Sequence, residues 1–221
     1  MKAVIFTSPS LSHEEAKKIF AQAEYRAPIK RGDALRALKE GARILGIIDG
    51  VFHQDVAISP REILEVIREG VKVVGGGSIG ALRASELHEL GMIGVGEIFR
   101  MFKDCELESD DEVAVVVNPE TFEALSEPLV NIRATLSALV SKRLIDEDLR
   151  IELLEIAKGM HYSMRNYDSI VLKAVEKGII PEKEADRLIL LLESNKINLK
   201  KLDAIKVVEK VKEIYLMAEK L

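Results

Sequence analysis

Short apolar, β-branched runs alternate with amphipathic stretches over the first half of the chain, the pattern of strands and helices taken in turn around a mainly parallel sheet. The runs Ala3 to Thr7, Arg43 to Ile48 and Val71 to Gly75 read as strands, with Glu112 to Val117 as a fourth. Between them, Ser12 to Ala23, Gly32 to Glu40 and Pro60 to Glu69 read as helices. Ser59, Pro60, Arg61 and Glu62 make a well-formed helix beginning: serine accepts backbone N–H bonds, proline suits the first helical position and Glu62 can close a capping box.

From about residue 121 the apolar positions fall three and four apart, which predicts amphipathic helices near 128–143, 146–158, 162–177, 181–194 and 200–219. Glycine marks the same change, since twelve of the fourteen precede residue 97. The expected fold class is therefore α/β, a mainly parallel sheet flanked by helices and followed by a C-terminal helical region. The expected division is a core over 1–120 and a helical region over 121–221. Charged positions late in the chain, such as Lys206, Glu209 and Lys210, read as solvated surface.

Composition narrows the class of function. With 48% hydrophobic and 31% charged residues, the balance argues against both a disordered polar chain and a lipid-embedded one. No run reaches the roughly 18 apolar residues of a membrane span, and the apolar part of MKAVIFTSPS is too short for a signal peptide. Lys and Arg number 32 against 37 Asp and Glu, a net charge of -5, so no overall basic field is present to hold nucleic acid or an anionic membrane. A single cysteine, Cys105, permits neither an intrachain disulfide nor a thiolate-rich zinc site, and a reducing cytoplasm is the expected compartment. Abundant Lys and Glu with no Trp are compatible with a thermophilic source.

The chemistry concentrates in VKVVGGGSIGALRASELHEL, residues 71–90, where a strand runs through glycines into a helix. Gly75, Gly77 and Gly80 make G-x-G-x-x-G, which can bring backbone N–H groups against a phosphate. Gly76, Ser78 and Gly80 make G-x-S-x-G, which can expose a nucleophilic serine on a tight turn. A third reading has the glycines permitting close helix–sheet packing while Ser78 caps the helix. The dinucleotide reading fits worst, because residues 91–100 look like a turn and a helix where a second strand ending in an acid is needed.

A nucleophilic serine needs a base. Of the four histidines, His53 is best placed, in the loop Asp49-Gly50-Val51-Phe52-His53-Gln54 after a strand, where ligands of open α/β sheets collect. It shares an edge with Ser78 if its strand neighbours Val71 to Gly75; otherwise it is a surface loop residue. His13 reads as surface, His88 lies too far along its helix, and His161 belongs to the helical half. Asp49 can orient His53, bind a cation or cap the turn. Arg83 can hold an anion or a developing oxyanion, or pair with Glu86. Asp110, Asp111 and Glu112 form either a solvated turn or a magnesium site.

The stretch GARILGIIDGVFHQDVAISPREILEVIREGVKVVGGGSIGALRASELHELGMIGVGEIF, together with the later DDEVAVVV, resembles the TfuA-like proteins over about Gly41 to Val117. Gly76, Gly77 and Ile79 stand where Ala and Met are usual in that family, and Cys105 stands where Gly is expected. The resemblance implies a partner of YcaO-type enzymes in peptide-backbone thioamidation, which supplies sulfide by hydrolysing a thiocarboxylated ThiS-type sulfur carrier. It implies methyl-coenzyme M reductase as the modified protein in an archaeal setting and a ribosomal peptide precursor in a bacterial one.

Joined to the residues, this implication assigns Ser78 to attack the acyl carbon or position a water, His53 to acid–base work and Asp49 to orienting it. Arg83 and helix-start N–H groups stabilise the oxyanion. A groove made by Gly75, Gly76 and Gly77 admits the carrier's flexible Gly-Gly tail, and Gly80, Ser59, Glu62 and Glu86 are further expected substrate-binding residues. No metal and no cofactor are expected. The alternatives are a non-catalytic adaptor that binds YcaO and the carrier, and a nucleotide-binding regulator. A homo-oligomer is left open.

Overall fold

In a computed structural model, which describes residues 1–51, 56–118, 120–121 and 123–220, the β-branched runs of the first half join one five-stranded, all-parallel sheet. In chain order the elements are β1 (Lys2–Phe6), α1 (His13–Ile19), β2 (Glu24–Arg26), α2 (Asp33–Lys39), β3 (Ala42–Ile47), α3 (Pro60–Arg68), β4 (Lys72–Gly75), α4 (Ile79–Leu87), β5 (Ile93–Gly94) and α5 (Glu97–Lys103). The helices α6 (Leu129–Ser141), α7 (Glu147–Lys158), α8 (Tyr167–Glu176), α9 (Ala185–Ser194) and α10 (Leu199–Ala218) follow. The chain divides into two units, Met1–Asp110 with Lys200–Leu221, and Asp111–Leu199. All of α10 except its first residue thus belongs to the unit built on the sheet.

The strands are apolar throughout because both faces of the sheet are covered. Side chains alternate between faces along a strand. Val4, Phe6, Leu45, Ile47 and Val73 pack with Ala34 and Ala37 of α2, Ile63 and Val66 of α3 and Leu87 of α4. Ala3, Ile5, Ile44 and Val74 pack with Ala16 of α1 and with Val207, Val208 and Val211 of α10. Those three valines and Ala204 recur at the helical period, so α10 presents a continuous apolar stripe. Gly46 permits its close approach, since a Cβ there would lie 3.1 Å from both Ile5 and Val211.

Two strands carry too little apolar signal to be read from sequence. β2 is a three-residue edge strand whose Arg26 pairs with Glu24 and Glu40 and whose Glu24 meets Lys2 at 3.0 Å, a polar finish suited to a sheet edge. β5 is two residues long, one of them glycine. The expected strand Glu112 to Val117 is not one: a 3₁₀ turn covers Asp110–Glu112, and Val117 makes an isolated antiparallel bridge to Ala124. The Glu112 carboxylate is taken by Arg133 at 2.6 Å, and β5 occupies the sheet edge beside β4.

The unit Asp111–Leu199 has its own core, in which Leu136 of α6, Leu153 of α7, Tyr167 and Ile170 of α8 and Leu192 of α9 meet. Arg165, in the same unit, is fully buried. Its Nε donates to the Ala157 carbonyl (3.0 Å), its Nη1 to the Asp111 carbonyl (2.9 Å), and the Asp111 carboxylate completes the pair. Among the described residues, no helix is long and apolar enough to cross a membrane.

Candidate functional site at the carboxyl edge of the sheet

The strand order β2-β1-β3-β4-β5 reverses direction between β1 and β3. Chains leaving those two strands diverge to opposite faces and open a crevice at their carboxyl ends, the usual ligand position in open α/β sheets. Asp49, two residues beyond β3, is buried there. Its carboxylate accepts the N–H groups of Ser8 and Ser10, both at 3.0 Å, and the Ser10 hydroxyl at 2.6 Å. Asp49 therefore shapes the loop after β1. The Lys200 ammonium, from the first turn of α10, lies 3.9 Å from the same carboxylate, with both side chains less than 5% exposed.

β4 ends beside β3, so the second motif opens on the same edge. Gly76 N–H donates to the Ile47 carbonyl (3.3 Å) and Gly80 N–H to the Ile48 carbonyl (3.2 Å), which binds the start of α4 to the end of β3. Between them Ser78 N–H donates to the Gly76 carbonyl at 2.9 Å, closing a γ-turn on Gly77, whose φ of +76° is one that glycine accepts without strain. Ser78 is buried, and its hydroxyl does not cap α4.

Packing accounts for each glycine of this loop. A Cβ at Gly80 would lie 1.8 Å from the Ile47 carbonyl oxygen, one at Gly75 2.3 Å from the Gly80 oxygen and one at Gly76 2.6 Å from the Val95 oxygen. One at Gly77 would lie 3.3 Å from the Lys200 carbonyl oxygen. The loop, the end of β3 and the start of α10 are thus in direct contact.

The other expected site residues lie further along α3 and α4. Ser59 caps α3 by accepting Glu62 N–H at 3.2 Å. The Glu62 carboxylate reaches away from its own helix to the first amides of α2, accepting from Gly32 (2.8 Å), Ala34 (3.0 Å) and Leu35 (3.4 Å), so it closes no capping box on α3. Arg83 donates its Nε to the Ile58 carbonyl (3.0 Å) and its Nη1 to both Glu86 oxygens (2.7 and 2.9 Å). The structure thus brings together Asp49, Ser78 and the glycines, and sets Ser59, Glu62, Arg83 and Glu86 in helix contacts. His53 lies outside the described residues.

Sequence reasoning passed over Ser8, Ser10 and Lys200. The Ser8-Pro9-Ser10 sequence directly after a strand was the available signal for the serines; nothing near Lys200 in the sequence marks it. His13, read as a surface residue, places its Nε2 3.3 Å from the Thr7 carbonyl and 3.1 Å from that of Arg26, at the carboxyl ends of β1 and β2. His88 contacts the Ser85 carbonyl through Nδ1 (3.0 Å), and His161 meets the Ser163 hydroxyl at 2.7 Å in the other unit. Among the described residues no group of three or more His, Cys, Asp or Glu side chains is placed to hold a metal ion. Asp111 and Glu112 are instead the partners of Arg165 and Arg133.

A family model described as TfuA-like protein matches residues 49–166, just over half of the chain. No match was found among curated proteins.

Proposed function

The chain belongs to the TfuA-like family, and from that premise we propose that it hydrolyses a thiocarboxylated ThiS-type sulfur carrier and delivers the sulfide to a YcaO-type enzyme for peptide-backbone thioamidation. Water adds to the acyl carbon, the C–S bond breaks, and carboxylate, hydrosulfide and a proton leave. The observation that carries this reading is the meeting of Asp49 and the Ser78 turn on one carboxyl edge of a parallel sheet, within the family match. An anionic acyl terminus entering that crevice meets a buried serine whose hydroxyl is not spent on its helix. His53 is assigned the acid–base role from its place in the loop after Asp49.

In a sulfide-release assay with the thiocarboxylated carrier, Ser78→Ala and His53→Ala should each slow turnover by roughly 100-fold or more. Undiminished release by both variants would sink the reading.

A second reading, a non-catalytic adaptor that grips the carrier beside YcaO, draws support from Arg83, whose guanidinium is held by Glu86 and the Ile58 carbonyl, and from the glycines, which are filled by the chain's own backbone. An adaptor binds both partners and leaves the thiocarboxylate intact.

A further inference from the structure

Helices that end in a left-handed turn usually place glycine there, because a side chain strains that backbone. In the unit Asp111–Leu199, α8 follows the rule: Gly178 takes φ +70°, and Ile179 N–H donates back to the Ala174 carbonyl at 2.9 Å. α6 ends in the same geometry, Leu144 N–H donating to the Leu139 carbonyl at 2.9 Å, yet its left-handed residue is Arg143, at φ +59°. Strain of this kind collects at binding and functional positions.

Arg143 lines a groove of about 580 Å³ between the α6–α7 turn and α9, a volume within the range of binding clefts. Leu149, Leu188 and Leu191 give the groove an apolar lining, and Leu144 beside them is 48% exposed. Arg187 of α9 supplies a second guanidinium. Among the described residues neither Arg143 nor Arg187 has an ion-pair partner, whereas Arg133, Arg150 and Arg165 of the same unit are each paired. Asp146, which also lines the groove, is spent on the Leu149 amide at 2.8 Å.

The complement of this groove lies on the same unit. α7 buries Leu153, Leu154, Ile156 and Ala157 and turns Asp148, Ile151, Glu152 and Glu155 outward, at the spacing of one helix face. Ile151 is 45% exposed among the three acids, and among the described residues Asp148 and Glu152 have no ion-pair partner. Leu149 of the same helix lines the groove, so the acidic ridge adjoins the basic groove. An apolar ridge of one charge beside an apolar groove of the other is complementary to itself, which is what a twofold interface requires. A free anion or a nucleic acid fits this face worse, because Glu184 and the α7 acids stand beside the two arginines.

We propose that a second copy of this chain docks here about a twofold axis, with Asp148, Ile151 and Glu152 of each protomer in the groove of the other. Ile151 packs on the exposed Leu144, and the two carboxylates meet Arg143 and Arg187. The pairing is independent of the chemistry assigned to the crevice.

In sedimentation velocity the full chain should approach twice the mass of one chain by about 100 μM. Arg143→Glu/Arg187→Glu and, separately, Asp148→Lys/Glu152→Lys should each weaken self-association about tenfold or more, because like charges then face each other at both contacts. Mixed in equal amounts, the two variants should pair about as tightly as the intact chain, since one contact is charge-swapped and the other unchanged. Arg143→Gly relieves the left-handed backbone, so it should keep or raise the denaturant midpoint of the dilute monomer while it weakens association. An intact chain that stays monomeric at that concentration would overturn the proposal and leave the face to a different protein. Equal self-association in all variants would overturn it as well, as would two folded charge-reversal variants that fail to pair on mixing.

Discussion

Gly80 has room for a hydrogen and nothing larger, since the atom that a Cβ would strike is the Ile47 backbone oxygen of a central strand. Gly178, with φ +70°, has open space around it. Gly80→Ala should therefore cost about 3 kcal/mol or more, while Gly178→Ala should cost only about 1 kcal/mol for the left-handed backbone; denaturant midpoints measure both. At Tyr25 the hydroxyl donates to the Ala16 and Phe20 carbonyls at 2.9 and 2.7 Å, and burial pushes its phenol up to about 12. A folded-state value above the unfolded one, about 10, means stability that is complete below the unfolded value and is lost as pH rises toward the folded one. Stability should fall between those limits in alkaline unfolding curves, and Tyr25→Phe should flatten part of the fall, with Tyr167 shifted upward for the same reason. The glycine spacing was legible in the sequence, but its purpose was not, because a missing Cβ serves a ligand and a neighbouring backbone alike. Asp49 was legible as an acid at the end of its strand, whereas its partners Ser8 and Ser10 come from about forty residues earlier and meet it only through the pairing of β1 with β3.

Helix ends show how far an element can be read locally. Ser12 with Glu15 forms the capping box of α1, and Ser59 caps α3, both within four residues of sequence. Glu62 departs from the local rule because the start of α2, with Gly32 at its cap position and no side-chain cap of its own, has unmatched amides within reach. Glu62→Ala should lower stability by about 1–2 kcal/mol and raise hydrogen exchange at the amides of Gly32, Ala34 and Leu35 while sparing α6 to α9. Unchanged exchange there would show that the carboxylate does not cap α2. The strands divide in the same manner: β1, β3 and β4 are continuous apolar runs because both faces are covered, while β2 and β5 rest on their neighbours and carry little pattern of their own. The β-branched run after Glu112 has the composition of a strand, but the sheet edge beside β4 is already occupied by β5.

At the scale of the whole molecule the last helix completes the first sheet. Its charged positions read as solvated surface, and its valines at the helical period do face the sheet, yet nothing in the sequence tells that face apart from those of α6 to α9. Ending the chain after Asn198 removes Val207, Val208 and Val211 from beside Ile5 and Ile44, and the truncated protein should lose cooperative unfolding and bind a hydrophobic dye; a cooperative transition like that of the full chain would contradict the packing described. The same helix brings Lys200 to the crevice, so the site draws on both ends of the sequence. The measurement that bears most directly on the function is mass spectrometry of the thiocarboxylated carrier after incubation with the intact chain and, in parallel, with Ser78→Ala. The account predicts conversion of thiocarboxylate to carboxylate by the intact chain and its near absence with the variant; a carrier that keeps its sulfur in both, or loses it equally in both, would contradict it.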